Sequence, residues 1–186
     1  EWRDSLDWFY QLPLLLDAGR FRLVHACWDP ELVQALRALS VRGRDLLELQ
    51  RWVMFNYLIG NSDAHAKNIS VLIDETGYAL APFYDLLCVQ VYGDDRLALY
   101  IGDEDQYASI GAHSWEAFCE DCGFSVKSTM TLFRKMAQDV AKAWATVTAQ
   151  ATVDFALSRP ELGLIQSITM VIETNCSAAL SMTTKR

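Results

Sequence analysis

Apolar positions along this chain change period twice, from helical spacing to strand alternation and back again. Asp29-Pro30-Glu31 pairs an acceptor side chain with a proline suited to a first helical position, and Leu32, Leu36 and Leu39 then recur on one helical face. The first forty residues as a whole read as helical. Between Asp45 and Ile59 the apolar side chains of Leu46, Leu49, Trp52, Val53, Phe55, Tyr57 and Leu58 spread around most of a helix circumference, which predicts a central, buried helix stopped by Gly60. The period then falls to two. Ile69–Ile73 is rich in β-formers, Asp74-Glu75-Thr76-Gly77 is a turn, and Tyr78–Ala81 runs up to Pro82, which predicts a short hairpin. A further strand is expected at Arg96–Ile101. Beyond residue 113 helices return, with Ser114 and Ser125 as candidate caps. Val126, Met130, Phe133, Ala137, Val140, Trp144 and Val147 keep the spacing of one long amphipathic helix, and Pro160-Glu161 opens a last one carrying Ile165, Ile168, Ile172 and Ala179. The pattern predicts a mostly α protein with a small central β-hairpin. It holds no repeat and no Gly/Ser-rich linker, so one domain is expected over residues 1–186.

Composition narrows the function classes. With 52% hydrophobic and 22% charged residues among 186, the chain is neither disordered nor of low complexity. No apolar run reaches the ~18 residues of a membrane span, so a membrane role is not expected. Sixteen basic against twenty-four acidic residues leave a net charge of −8, which argues against direct nucleic-acid binding because that depends on a basic face. Much of the acid lies in one stretch (Asp94, Asp95, Asp103, Glu104, Asp105, Glu116, Glu120 and Asp121), read as a solvated face, as a docking face for a basic partner or as a metal-attracting field near an active site. Five irregularly spaced cysteines point to buried free thiols and a reducing cytoplasm. Cys119 and Cys122 form a C-x-x-C without a second ligand pair, so two neighbouring thiols on a helix face are expected rather than a zinc site. A chain that begins at Glu1 without methionine or a signal segment is read as a piece of something longer.

The chemistry is concentrated in Gly60-Asn61-Ser62-Asp63-Ala64-His65-Ala66-Lys67-Asn68-Ile69, between the most apolar helix and the hairpin, which itself leads to Tyr84-Asp85-Leu86. A plain connector has no need to collect Asp, His, Lys and Asn. Phosphoryl transfer needs a carboxylate to orient the attacking hydroxyl and oxygen ligands to hold Mg²⁺ on the phosphates. Protein kinases place the base Asp and a metal-binding Asn five residues apart on one loop, with a second metal-binding Asp farther on. Here Asp63 is followed five residues later by Asn68, then by a hairpin, then by Asp85. His65 stands two after Asp63, where many kinases carry a lysine near the transferring phosphate.

Asp63-Ala64-His65-Ala66-Lys67-Asn68-Ile69 with Phe83-Tyr84-Asp85-Leu86-Leu87 resembles the HipA toxin kinases of bacterial toxin–antitoxin modules, and Leu58–Ser62 and Ala81-Pro82 fit that pattern too. The specific likeness covers residues 55–90. It implies the helical C-lobe of a two-lobed Ser/Thr protein kinase that uses ATP and Mg²⁺. Asp63 would then be the catalytic base. His65 would support the phosphates or the loop, Lys67 would touch phosphate or face solvent, and Asn68 and Asp85 would bind Mg²⁺ and with it the nucleotide. Asp85 could otherwise cap a helix. The resemblance also implies a protein substrate, an aminoacyl-tRNA synthetase in some members, and a HipB-like DNA-binding antitoxin as partner.

The chain departs from a complete kinase in two respects. It has no G-x-G-x-x-G, and of its five lysines only Lys67 precedes residue 126, so the small lobe with its strand lysine is expected in another part of the protein or in another chain. Two other readings stand beside the kinase lobe. One is a kinase-derived module that only docks an antitoxin or substrate. The other, suggested by the D-x-H-x-x-N form, is a small-molecule or lipid-type kinase.

Overall fold

The computed structural model describes residues 15–17, 21–24, 43–74 and 77–182. Its elements, in chain order, are β1 (Leu15–Asp17), β2 (Phe21–Val24), α1 (Gly43–Ile59), a 3₁₀ turn (Ala66–Asn68), β3 (Ser70–Asp74) and β4 (Gly77–Leu80). A second 3₁₀ turn (Gln90–Tyr92), β5 (Arg96–Ile101), β6 (Glu104–Gln106), α2 (Ala112–Cys122), α3 (Val126–Asp154) and α4 (Arg159–Ser181) follow. The protein is mostly helical, as its sequence pattern predicts. The chain divides into two compact units, Glu1–Glu48 with His65–Asp85, and Leu49–Ala64 with Leu86–Arg186. It passes between them inside α1, again between Ala64 and His65, and a third time between Asp85 and Leu86.

In the first unit β3 and β4 form the expected hairpin, pairing Leu72 with Ala79 and Asp74 with Gly77. The ribbon is wider than the sequence pattern predicts, because β1 and β2 extend it into a four-stranded antiparallel sheet ordered β1-β2-β3-β4. The first forty residues are therefore not helical throughout. Strands occupy Leu15–Asp17 and Phe21–Val24, with Arg22 opposite Val71. Pairing with β3 supplies ladder bonds that a local reading of so short an apolar run cannot anticipate. The expected helix from Asp29 through Leu39 lies outside the described residues. Asp45, in the first turn of α1, is buried and accepts the Leu80 N–H through Oδ2 at 3.2 Å, which fixes the end of β4.

The second unit has an aromatic core. Tyr57 stacks on Tyr107 at 5.3 Å, and Trp115 lies against Phe133 at 4.3 Å and edge-on to Phe118. Such rings bury large areas and prefer these offset and edge geometries. Leu49, Trp52, Val53 and Leu58 of α1 are also buried, and Gln50 donates to Thr129 Oγ1 of α3 at 2.7 Å. The α3 stripe buries Met130, Phe133 and Ala137 but does not hold to its end, since Val147 is 58% exposed. Along this stretch α3 packs mainly against α4. The two helices run antiparallel, tied by Trp144 Nε1 to Thr169 Oγ1 at 2.9 Å and by Arg134 to the Met182 carbonyl at 2.6 Å.

The caps follow local chemistry. Ser125 Oγ accepts from the Ser128 N–H, and Ser158 with Glu161 forms a reciprocal box that spans Pro160 in the first turn of α4. Ser114 is not the cap of α2. Gly111 is, and Ser114 reaches back to accept the Gly111 N–H at 3.2 Å. Cys119 and Cys122 are buried neighbours on α2, and burial pushes the Cys119 thiol up, away from the thiolate that metals bind. No described helix is long and apolar enough to cross a membrane.

Candidate active site

The site begins where α1 ends. Gly60 takes φ +74°, its N–H bonds to the Tyr57 carbonyl at 3.2 Å, and the Asn61 N–H bonds to the Asn56 carbonyl at 2.9 Å. This is a Schellman closure, which satisfies carbonyls a helix end leaves open and turns the chain sharply. A Cβ on Gly60 would sit 2.4 Å from Val171 Cγ1 and 3.2 Å from Gln90 Cβ, so close packing as well as backbone angle calls for glycine.

Three successive residues after the helix are then pinned. Gly60 O accepts from Gln90 N at 2.9 Å, the Asn61 side chain donates to Asn56 Oδ1 at 2.7 Å, and Ser62 O accepts from Ala98 N of β5 at 2.8 Å. The Asn175 amide of α4 donates to the Tyr57 carbonyl at 3.0 Å and to Gln90 Oε1 at 3.1 Å. Asn56, Asn61, Ser62 and Asn175 are all buried. Buried amides of this kind stabilise only when they are bonded. Their effect is to deliver Asp63, which is exposed, from a fixed backbone.

Of the residues singled out from sequence, Asp63 closes this segment of the second unit, while His65, Lys67, Asn68 and Asp85 belong to the first. Within the first unit His65 is half-buried at the start of the 3₁₀ turn and Lys67 is exposed on it. Asn68 is 4% exposed, and its Nδ2 donates to Asp85 Oδ2 at 3.0 Å across a sequence gap of seventeen residues. Asp85 is exposed and has φ +59°, the one described non-glycine residue in the left-handed region. It does not cap a regular helix, because the next turn is the 3₁₀ segment at Gln90.

The 3.0 Å bond leaves from the Asn68 amide nitrogen, a donor and not a metal ligand, so it shows that the two side chains adjoin, and it is through their oxygens that they could hold a hard cation. Among the described residues no cluster of three or more His, Cys, Asp or Glu forms. A pair consisting of one amide and one carboxylate suits a hard cation that takes its remaining ligands from water and phosphate, and does not suit zinc.

Sequence reasoning missed the groups that hold the loop. Asn56 and Asn175 each interrupt an apolar helix, and that interruption is the signal that could have found them. A second missed contact is the Tyr84 hydroxyl, which donates to the Lys67 carbonyl at 2.9 Å.

The chain closes α1 with a Schellman turn and flanks its β3–β4 hairpin with the bonded pair Asn68 and Asp85. The family model for the HipA-like C-terminal domain matches residues 29–144, and the chain belongs to that family. It is 34% identical over 117 residues to the putative kinase Y4mE of Sinorhizobium fredii, covering 61% of this chain and 28% of the relative. Over 102 residues it is 34% identical to the serine/threonine-protein kinase toxin HipA of Shewanella oneidensis, covering 54% of this chain and 24% of the relative. Among solved structures it resembles the toxin–antitoxin complex of HipA, HipB and operator DNA from Shewanella oneidensis MR-1, with a TM-score of 0.63 and 28% identity, over 69% of this chain and 30% of that one. The chain thus spans no more than 30% of the length of these relatives.

Proposed function

We propose that this chain is the catalytic C-lobe of a Ser/Thr protein kinase that transfers the γ-phosphoryl group of ATP to a protein hydroxyl and serves as the toxin of a bacterial toxin–antitoxin module. The observation that carries the reading is the Asn68–Asp85 pairing at 3.0 Å, in a segment where Asp63 precedes Asn68 by five residues. In this reading Asp63 accepts the proton of the attacking hydroxyl and aligns its oxygen with phosphorus. Asn68 and Asp85 hold Mg²⁺ by oxygen, and the ion when bound offsets charge on the phosphates. His65 supports the phosphates or the loop, and Lys67 adds a cation beside them.

A small lobe, in cis or as a separate chain, closes over the nucleotide with a glycine-rich loop and a strand lysine. The partner is a HipB-like antitoxin, which meets the acidic face of residues 94–121. Two observations support this part of the reading. The Shewanella protein that this chain resembles is found in complex with HipB and operator DNA, and Asp94, Asp95, Asp103, Glu120 and Asp121 are exposed here. The substrate is a protein, an aminoacyl-tRNA synthetase by analogy with the family, and the setting is the cytoplasm.

The test is transfer of labelled γ-phosphate by the full-length protein with and without Mg²⁺. Metal-dependent labelling of serine or threonine, abolished by Asp63→Asn, is expected. Labelling that survives Asp63→Asn would overturn the assignment.

A further inference from the structure

The β3–β4 ladder ends with the Ala81 N–H on the Ser70 carbonyl at 2.8 Å. Past that rung Pro82 has no N–H to offer, and the 3₁₀ turn Ala66–Asn68 stands where the ladder would continue, yet Tyr84 and Asp85 stay against that turn. Two cross-ties account for this. The Tyr84 hydroxyl donates to the Lys67 carbonyl at 2.9 Å, and the next residue, Asp85, accepts from Asn68, the residue after Lys67, at 3.0 Å. Both bonds therefore tie the 3₁₀ turn Ala66–Asn68 to the Tyr84-Asp85 segment, within one unit. Asp85 holds φ +59°, a conformation that costs a residue with a Cβ and persists only where neighbouring contacts over-determine it. Its own side-chain bond is one such contact, and the anchor on the adjacent tyrosine is another.

We propose that Tyr84 is a positioning residue for the metal pair, its hydroxyl holding Asp85 beside Asn68. The inference rests on the kinase reading and adds to it, since nothing in the transfer chemistry itself requires a hydroxyl at this place. Removing the hydroxyl leaves the ring, the backbone and all ligand atoms. What changes is how far Asp85 can drift from Asn68 before an ion arrives, so the effect falls on metal affinity rather than on chemistry once the metal is bound.

The experiment uses the full-length protein with ADP and Mn²⁺ as the probe, free Mn²⁺ being followed by its electron paramagnetic resonance signal. Wild type, Tyr84→Phe and Asp85→Asn are titrated, and the thermal midpoint of each is recorded. Tyr84→Phe is expected to weaken Mn²⁺ about five- to tenfold, as loss of one hydrogen bond implies, with an unshifted midpoint. In turnover it raises the metal concentration for half-maximal rate by the same factor and leaves kcat at saturating metal within about twofold. Unchanged Mn²⁺ affinity in Tyr84→Phe, beside a clear loss in Asp85→Asn, would overturn the positioning role alone. Weakening that only tracks a lowered midpoint would also overturn it. Unchanged affinity in Asp85→Asn would instead bring down the metal-site reading beneath it.

Discussion

At the scale of single residues, the polar groups near the loop fall into two kinds: those proposed to act and those that hold the structure. Asp63, Lys67 and Asp85 are exposed and Asn56, Asn61 and Asn175 are buried, while Asn68, proposed as a metal ligand, is buried and bonded to Asp85. The asymmetry is physical, since a buried amide must be bonded while a carboxylate meant to meet substrate must be reachable. Tyr57 belongs to the holding kind. Burial, with Cys176 beside it, raises its phenol from the ordinary value of 10 to about 12. A folded state that resists losing a proton the unfolded chain gives up near pH 10 is fully stable below that pH. It loses stability as pH rises from 10 toward 12, by roughly 3 kcal/mol over that interval. Chemical denaturation across pH 9–12 should show this decline, and Tyr57→Phe should flatten part of it. A Tyr57→Phe curve as steep as that of wild type would contradict the assignment. Burial also raises Tyr107 and Cys176, so the decline is shared and will not vanish in one variant.

Among the elements, α1 and the β3–β4 hairpin precede and follow the proposed loop in sequence, and both were legible from sequence. The predicted helix end at Gly60, the hairpin at Ile69–Ala81 and the strand at Arg96–Ile101 match α1, β3–β4 and β5 to within two residues at each end. Their signals are strong because apolar period, glycine and turn residues agree locally. The misses share one cause. Strands β1 and β2 and the exposure of Val147 are decided by what lies alongside in space, which a local pattern does not contain. The network of Asn56, Asn61 and Asn175 joins residues up to 118 positions apart and was equally out of reach. Asp63, Asn68 and Asp85 stood out because their spacing carries chemistry, whereas Tyr84 did not, since a tyrosine in a loop has many ordinary reasons to be there.

The end of α1 supplies two element-scale predictions. Gly60→Ala must adopt a left-handed angle and displace Val171, so it should cost about 2–4 kcal/mol in equilibrium unfolding. Asn175→Ala strips a buried bond from the Tyr57 carbonyl and should cost roughly 1–3 kcal/mol. Either variant unfolding like wild type would show that the helix end is not held as described.

At the scale of the molecule, the chain carries the loop and hairpin of a HipA-like C-terminal domain and no glycine-rich phosphate loop. Residues 1–186 alone should therefore transfer no measurable phosphate from ATP, and the same residues joined to a small lobe should. Robust transfer by the isolated residues would contradict the division of labour proposed between lobes. The acidic face belongs to this scale as well. If it meets a basic antitoxin, the association rate should fall steeply between low and physiological salt, and a flat response would remove the face from the interface.

The central claim is that Asp63 does chemistry while Asn68 and Asp85 hold the metal, and a metal titration of phosphotransfer in the full-length protein separates the two. Asp63→Asn should lower the maximal rate by about 10²–10⁴-fold at every Mg²⁺ concentration and leave half-saturation unmoved. Asp85→Asn should move half-saturation to much higher Mg²⁺. If Asp85→Asn binds metal more weakly yet transfers phosphate at the wild-type rate and Mg²⁺ requirement, or if Asp63→Asn retains wild-type turnover, the account is wrong.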